Sequence, residues 1–221
     1  MAKRGLIIGT YDTVLNQWTL APGWKFSDPV LVSKYVDVPG RRKGPLDMST
    51  ALTDGDPVYG SRTLTAILES SEGTRLERKS RIDIMTNWLD GWTANIVLPD
   101  DEQHYIVGRV SVACLYNDLA HASVQVTAVC EPWRYNKEET TVVLTSTATA
   151  QTATLPNQGR LAVVPLLTVT GGDVLLVSGG SSWALSPGTY ALPDLLLPQG
   201  GKAVTYSGVG VLTFTYREAV L

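Results

Sequence analysis

A mainly β chain of two domains with a single helix is what this 221-residue sequence predicts, on three observations. Twenty glycines and twelve prolines punctuate runs rich in Val and Thr, residues that fit a pleated, half-buried surface. Several of those runs alternate apolar and polar positions, the period of a strand with one buried face. One stretch, residues 74–91, combines a helical period with signals for both helix ends.

The totals bound the rest. Apolar residues make up 44 % and charged residues 18 %, so a core is available and the charged share falls below the usual quarter or so. A net charge of −3 excludes wholesale binding to nucleic acid or to an anionic membrane. Cys114 and Cys130 are the two cysteines; they do not make a secreted disulfide framework, and both are expected reduced and buried. The opening holds only the short apolar run Leu6, Ile7 and Ile8, against roughly 7–15 residues in a secretion signal. No window approaches the roughly 20 apolar residues of a membrane helix. A soluble product made in the cytoplasm is expected.

In the first domain, Val38, Pro39 and Gly40 lead into Arg41, Arg42 and Lys43, then Gly44, with Asp47 closing the segment. Glycines on both sides of three cations mark a turn tip, and the segment is expected to project as a hairpin. Thr74 and Glu77 have the spacing of a capping box. Leu76, Ile82, Met85, Trp88 and Leu89 follow at helical spacing, with Arg75, Arg78, Lys79 and Arg81 read as a solvated face. Gly91 is placed to end the helix in a left-handed conformation. Ala122, Val124, Val126, Ala128 and Cys130 form one buried strand face, and Ile106, Val110 and Val112 another. Gly108 interrupts the latter, which implies a bulge or a close backbone approach. Asp100, Asp101 and Glu102 after Pro99 read as a solvated hairpin turn.

Composition shifts near Asn136. The final 85 positions hold nine charged residues, Lys137, Glu138, Glu139, Arg160, Asp173, Asp194, Lys202, Arg217 and Glu218, and one tryptophan, Trp183. Domains at 1–136 and 137–221 follow, joined by a polar stretch at 135–139. Strand-like runs at 141–145, 161–170, 174–178, 194–197, 203–206 and 211–216, with glycine turns between them, indicate a small sandwich. Pro165 belongs at an edge or a bulge.

No chemistry assembles. Two histidines, His104 and His121, lack ligand partners, so no metal is expected. Ser181 and Ser182 lack the strand-to-helix setting of a nucleophile elbow. No catalytic residue, metal or cofactor is assigned, and the chain is not expected to be an enzyme.

With these residues laid out, the chain resembles the distal tail protein family of long-tailed (siphovirus-type) bacteriophages, often called Dit. The resemblance runs through Val38-Pro39-Gly40, Gly44-Pro45-Leu46-Asp47, Tyr59 with Arg62, Leu89-Asp90-Gly91, Pro99-Asp100-Asp101, Tyr105 with Gly108-Arg109, and Cys130-Glu131-Pro132-Trp133-Arg134-Tyr135. It implies a β-sandwich-like N-terminal domain that forms a ring, with one α-helix and a projecting hairpin, followed by a galectin-like C-terminal β-sandwich. It also implies a hexamer linking the tail tube protein to a tail-tip hub protein at the virion tail tip. DNA would pass through its channel in transit, with assembly in the host cytoplasm and no membrane contact. The candidate interface is then Val38, Pro39, Gly40, Arg41, Arg42, Lys43, Gly44 and Asp47. No inserted carbohydrate-binding domain interrupts the pattern. A weakly charged second domain agrees with surfaces covered by neighbours, and tryptophan, abundant in the first domain at Trp18, Trp24, Trp88, Trp92 and Trp133, is enriched at interface hot spots. The alternatives are a galectin-like carbohydrate-binding module, with Trp183, Asn157, Arg160 and Arg217 as its polar and aromatic groups, and another ring-forming subunit such as a tail-tube protein.

Overall fold

Strand alternation organises most of this computed structural model, which describes residues 4–39, 44–51, 53 and 56–221. The chain divides into two units, Met1–Pro132 and Trp133–Leu221. The first begins with short strands, β1 (Ile7–Ile8), β2 (Tyr11–Asp12), β3 (Thr19–Leu20), β4 (Lys25–Phe26), β5 (Tyr35–Val36) and β6 (Leu46–Asp47). Longer elements follow: β7 (Arg62–Ser70), α1 (Arg75–Leu89), β8 (Thr93–Leu98), β9 (Asp101–Asn117) and β10 (Ala122–Asn136), whose last residues belong to the second unit. Strand order in the main sheet is β2-β1-β8-β9-β10-β7-β3, with β4 also on β7.

One face of this sheet is the core. Leu64, Ala66 and Leu68 of β7 lie beside the expected faces of β9 and β10, all of them buried. Antiparallel register sets Val126 against Ala66 and Cys130 against Arg62. Gly108 lies directly under Cys130: a Cβ there would come within 2.5 Å of the Cys130 Sγ. The interruption read from sequence is therefore a close approach.

Helix α1 packs on this face through Ile82, Met85 and Leu89. Burying each such side chain contributes roughly 1.5–3 kcal/mol, more than the roughly 1 kcal/mol of a cap, so packing holds the helix and the cap sets where it starts. The capping box is formed: Thr74 N donates to Glu77 Oε2 at 2.6 Å and Glu77 N to Thr74 Oγ1 at 3.3 Å. Gly91 stands at φ +78°, the left-handed stop expected of it.

Two features of the helix differ from expectation. Leu76 and Trp88 are 78 % and 64 % exposed, and Arg78 is 1 % exposed. The buried stripe is Arg78, Ile82, Met85 and Leu89, spaced 4, 3, 4, and Leu76 and Trp88 fall off it. Arg78 is tolerated there because its Nη1 donates to Gly73 O at 2.5 Å and its Nη2 to Asp118 O and Leu119 O at 2.9 and 3.0 Å. It staples the helix start to the turn between β9 and β10.

The second unit contains β11 (Thr140–Thr145), β12 (Gln151–Leu155), β13 (Leu166–Thr170), β14 (Val174–Ser178) and β15 (Ser181–Leu185). It continues with β16 (Gly188–Ala191), β17 (Lys202–Gly208), β18 (Val211–Tyr216) and β19 (Ala219–Val220). Two four-stranded sheets, β11-β18-β13-β16 and β12-β17-β14-β15, share one core around Leu167, Leu176, Val204 and Phe214, which makes a sandwich. Gly179 and Gly180, at φ +59° and +88°, form the two-residue turn between β14 and β15.

Four strands, β12, β15, β16 and the two-residue β19, escaped the sequence pattern. Residues 194–197 are not a strand but a turn ending in a single bridge, Val163 to Leu197. Pro165 stands just before β13, where its missing N–H costs no ladder bond.

The polar stretch at 135–139 is not a free linker. Asn136 and Tyr135 continue β10, Tyr135 pairs with Ala219, and Asn136 N donates to Glu218 O at 3.0 Å. Arg217 Nη1 donates to Asn136 O at 2.6 Å and also to Lys137 O, while its Nη2 meets Glu139 Oε1 at 2.9 Å.

Candidate assembly surface

Between β4 and β7 the first unit makes an excursion that leaves its core. Its base is a pairing of residues 30–32 with 58–60, through Val32 N to Val58 O and Gly60 N to Val30 O, both 2.8 Å. Further out, β5 pairs only with β6, Tyr35 opposite Asp47 and Val36 opposite Leu46. The expected hairpin is thus present as a ladder. Of the residues assigned to it, Gly40, Arg41, Arg42 and Lys43 lie outside the described residues. Val38, Pro39, Gly44 and Asp47 are exposed.

Local bonds hold the ladder. Asp47 Oδ1 accepts from Ser49 N at 2.9 Å, and bonds from the Ser49 side chain and backbone hold its carboxyl below the usual range. Ser49 Oγ accepts from Lys34 N at 2.8 Å. These bonds shape the arm and leave its apolar side chains uncovered. Val30, Leu31, Tyr35 and Val38 are 68, 50, 64 and 43 % exposed, and no described residue of 27–61 joins the buried core.

The tryptophans divide. Trp18 is fully buried and Trp24 packs against the core, whereas Trp88 and Trp92 are exposed. Once Arg78 is known to be buried, the 4-3-4 spacing from Arg78 to Leu89 places Trp88 off the stripe; nothing local in the sequence marked Arg78. On another flank of α1, a cleft of about 600 Å³ is lined by Leu76, Lys79, Ile82, Cys114 and Asn117, among others. Cys114 is exposed there, contrary to expectation, and Cys130 is buried. Cys114 lies near the end of β9, beyond the buried run that stops at Val112.

Of Asp100, Asp101 and Glu102, expected together as a turn, only Asp100 lies in one; Asp101 and Glu102 begin β9. Residues 99–100 form the turn between β8 and β9, and the His104 ring bonds Asp101 Oδ1 at 2.6 Å. Among the described residues no group of three or more His, Cys, Asp or Glu is arranged to hold a metal ion. Among the described residues, no helix is long and apolar enough to cross a membrane. In the second unit, Trp183 packs against the core. Asn157 is 1 % exposed, with its amide donating to Leu161 O and Leu197 O and its oxygen accepting from Gly159 N.

A helix-backed antiparallel sheet with an excursion arm, followed by an eight-stranded sandwich, defines a two-unit mainly β protein with exposed apolar side chains on the arm and at a helix end. Among solved structures this fold is that of a phage tail protein. The chain is similar to the crystal structure of the SPP1 Dit (gp 19.1) protein, described as a paradigm of the hub adsorption apparatus in phages infecting Gram-positive hosts. The TM-score is 0.64 and the identity 14 %, over 96 % of this chain and 98 % of that one. The distal tail resemblance read from the sequence is met at the level of the fold. No family model and no curated protein sequence matches the chain.

Proposed function

We propose that this chain is a structural, non-enzymatic component of a phage tail tip. It closes into a ring, a hexamer, that joins the tail tube to the tail-tip hub and leaves a channel for DNA in transit. The observation that carries this is the end-to-end likeness in fold to a distal tail hub protein, 96 % of one chain against 98 % of the other. Its place is the virion tail tip, after assembly in the host cytoplasm, and its partners are further copies of itself, the tube protein and the hub protein.

The arm supports a ring, since it leaves the core and exposes apolar side chains that a neighbouring copy can cover. A lectin role draws less support. Of the groups a glycan would need, Trp183 is packed on the core, Asn157 is bonded on both amide atoms and Arg217 clamps residues 136–139. Negative-stain microscopy of the purified chain tests the proposal. Closed single rings with a central opening are expected; isolated particles at every concentration would refute it, and stacked tubes would favour a tube subunit.

A further inference from the structure

Beside α1 the main sheet has room for one more strand. β9 runs to Asn117, but β8 accompanies it only as far as the pair Thr93 and Arg109. Past that point the helix exit takes over: Val110 N donates to Trp92 O and Val112 N to Asp90 Oδ1, both at 2.9 Å. These donors point to the β8 side, away from β10. The two-residue period of a strand turns the N–H and C=O groups of Cys114 and Tyr116 the same way. Among the described residues, no strand pairs with them there. Residues 111–117 hold neither a charge nor a proline, two of the features that keep an edge from pairing. At the rise of a strand this open edge is roughly 20 Å long. The cleft of about 600 Å³ is lined by both this edge and the flank of α1 that carries Arg75, Leu76 and Lys79.

We propose that the slot receives an extended segment of another protein, which joins β9 as a strand, seats an aliphatic side chain in the cleft and sets a carboxylate against Arg75. Backbone, shape and charge favour this occupant. A row of open N–H and C=O groups is met by another backbone, as in strand addition at a sheet edge. Leu76, Ile82 and Cys114 make the cleft wall apolar, so the side chain that fills it is aliphatic.

Charge sets the rest. Lys79 Nζ is already held by Asp83 at 3.0 Å, whereas Arg75 is exposed and has no carboxylate in ion-pair range among the described residues. Asn117 Nδ2 donates to Arg75 O at 3.2 Å, which places Arg75 at the Asn117 end of the slot. In a strand antiparallel to β9, as β8 is, the acidic residue then precedes the aliphatic one. A second copy pairing edge to edge is the poorer occupant, because residues 111–117 bring no carboxylate. The slot is made of other residues than the arm and does not depend on the ring.

A display library of random peptides, about nine residues long, selected on the immobilised full chain tests this. Enriched peptides with an acidic residue ahead of an aliphatic one are expected. A synthetic copy of the strongest is then titrated against two variants that both lack the thiol. Cys114→Ala keeps the edge N–H and Cys114→Pro removes it, and proline is tolerated on an edge. Binding to Cys114→Pro at least tenfold weaker than to Cys114→Ala is expected, and about tenfold weaker to Arg75→Glu than to the parent. If Cys114→Pro does not fold, single N-methylation along the peptide decides: loss at every second residue is expected, and loss without that period overturns the proposal. Equal binding to the two Cys114 variants, an unchanged affinity for Arg75→Glu, or no enriched peptide also overturns it. Self-association of the chain that disappears in Cys114→Pro but not in Cys114→Ala would give the edge to a second copy and overturn it as well.

Discussion

At the scale of single residues, three positions control much of the first unit. Arg78 satisfies three carbonyls from a buried site, so Arg78→Met, which keeps the stem and removes the donors, is expected to cost about 2–4 kcal/mol in denaturant unfolding. Gly108→Ala drives a methyl against Cys130 Sγ at 2.5 Å and Val129 O at 3.2 Å and should cost about 1–3 kcal/mol. Adding Cys130→Ala should restore part of that loss, because the sulfur is the nearer obstacle; simple additivity in the cycle would contradict it. Burial pushes the Cys130 thiol up to about 11. The folded chain then holds its proton when the unfolded chain, with an ordinary thiol, has lost it. Its contribution to stability is complete below pH 9 or so and lost as pH rises towards 11. The fall in stability across that window should exceed that of Cys130→Ala. Native labelling should modify Cys114 readily and Cys130 only on unfolding. Arg78 was not legible as a buried residue, because a basic side chain at helical spacing ordinarily faces water. Its partners, the carbonyls of residues 118 and 119, lie 40 positions along the chain and no local pattern announces them.

Elements were legible where a local signal coincided with burial. The helix start is such a case: Thr74 and Glu77 form the expected box. Bonds from the Thr74 backbone and hydroxyl hold the Glu77 carboxyl below its usual range. The stability this provides is present above the ordinary glutamate range and lost as pH falls through the lowered value. Thr74→Ala should cost about 1 kcal/mol and reduce that acid dependence, as circular dichroism melts at pH 3 and pH 7 would show. Strands β7 and β10 were carried by alternation, with one face turned to the core. By contrast, β12, β15 and β16 have Thr, Ser, Gly and Ala at their outward positions and few large residues within, so composition alone resembles a loop. Residues 194–197 erred the other way: Leu195 and Leu197 are buried, and apolar content mimicked a strand where a turn reaches into the core. The arm was legible from its glycines and cations, but the exposed tryptophans required knowing which helix stripe is buried.

For the whole molecule, the shift in charge near residue 136 led to expected domains at 1–136 and 137–221, and the chain divides into units at Met1–Pro132 and Trp133–Leu221. Residues 135–139 are bonded by Arg217 and Glu218, so the polar composition reflects a clasp. Limited proteolysis should therefore spare this stretch, and Arg217→Ala should make it the first site cut. If the proposed ring forms, the first unit, which owns the arm and the exposed tryptophans, is expected to carry it. Removing residues 38–47 should leave a folded monomer. The most direct measurement is light scattering on the intact purified chain across a concentration series. A closed ring predicts one discrete species at six times the 23.8 kDa chain mass. A mass that stays at one chain throughout, or grows without limit into open polymers, would contradict it.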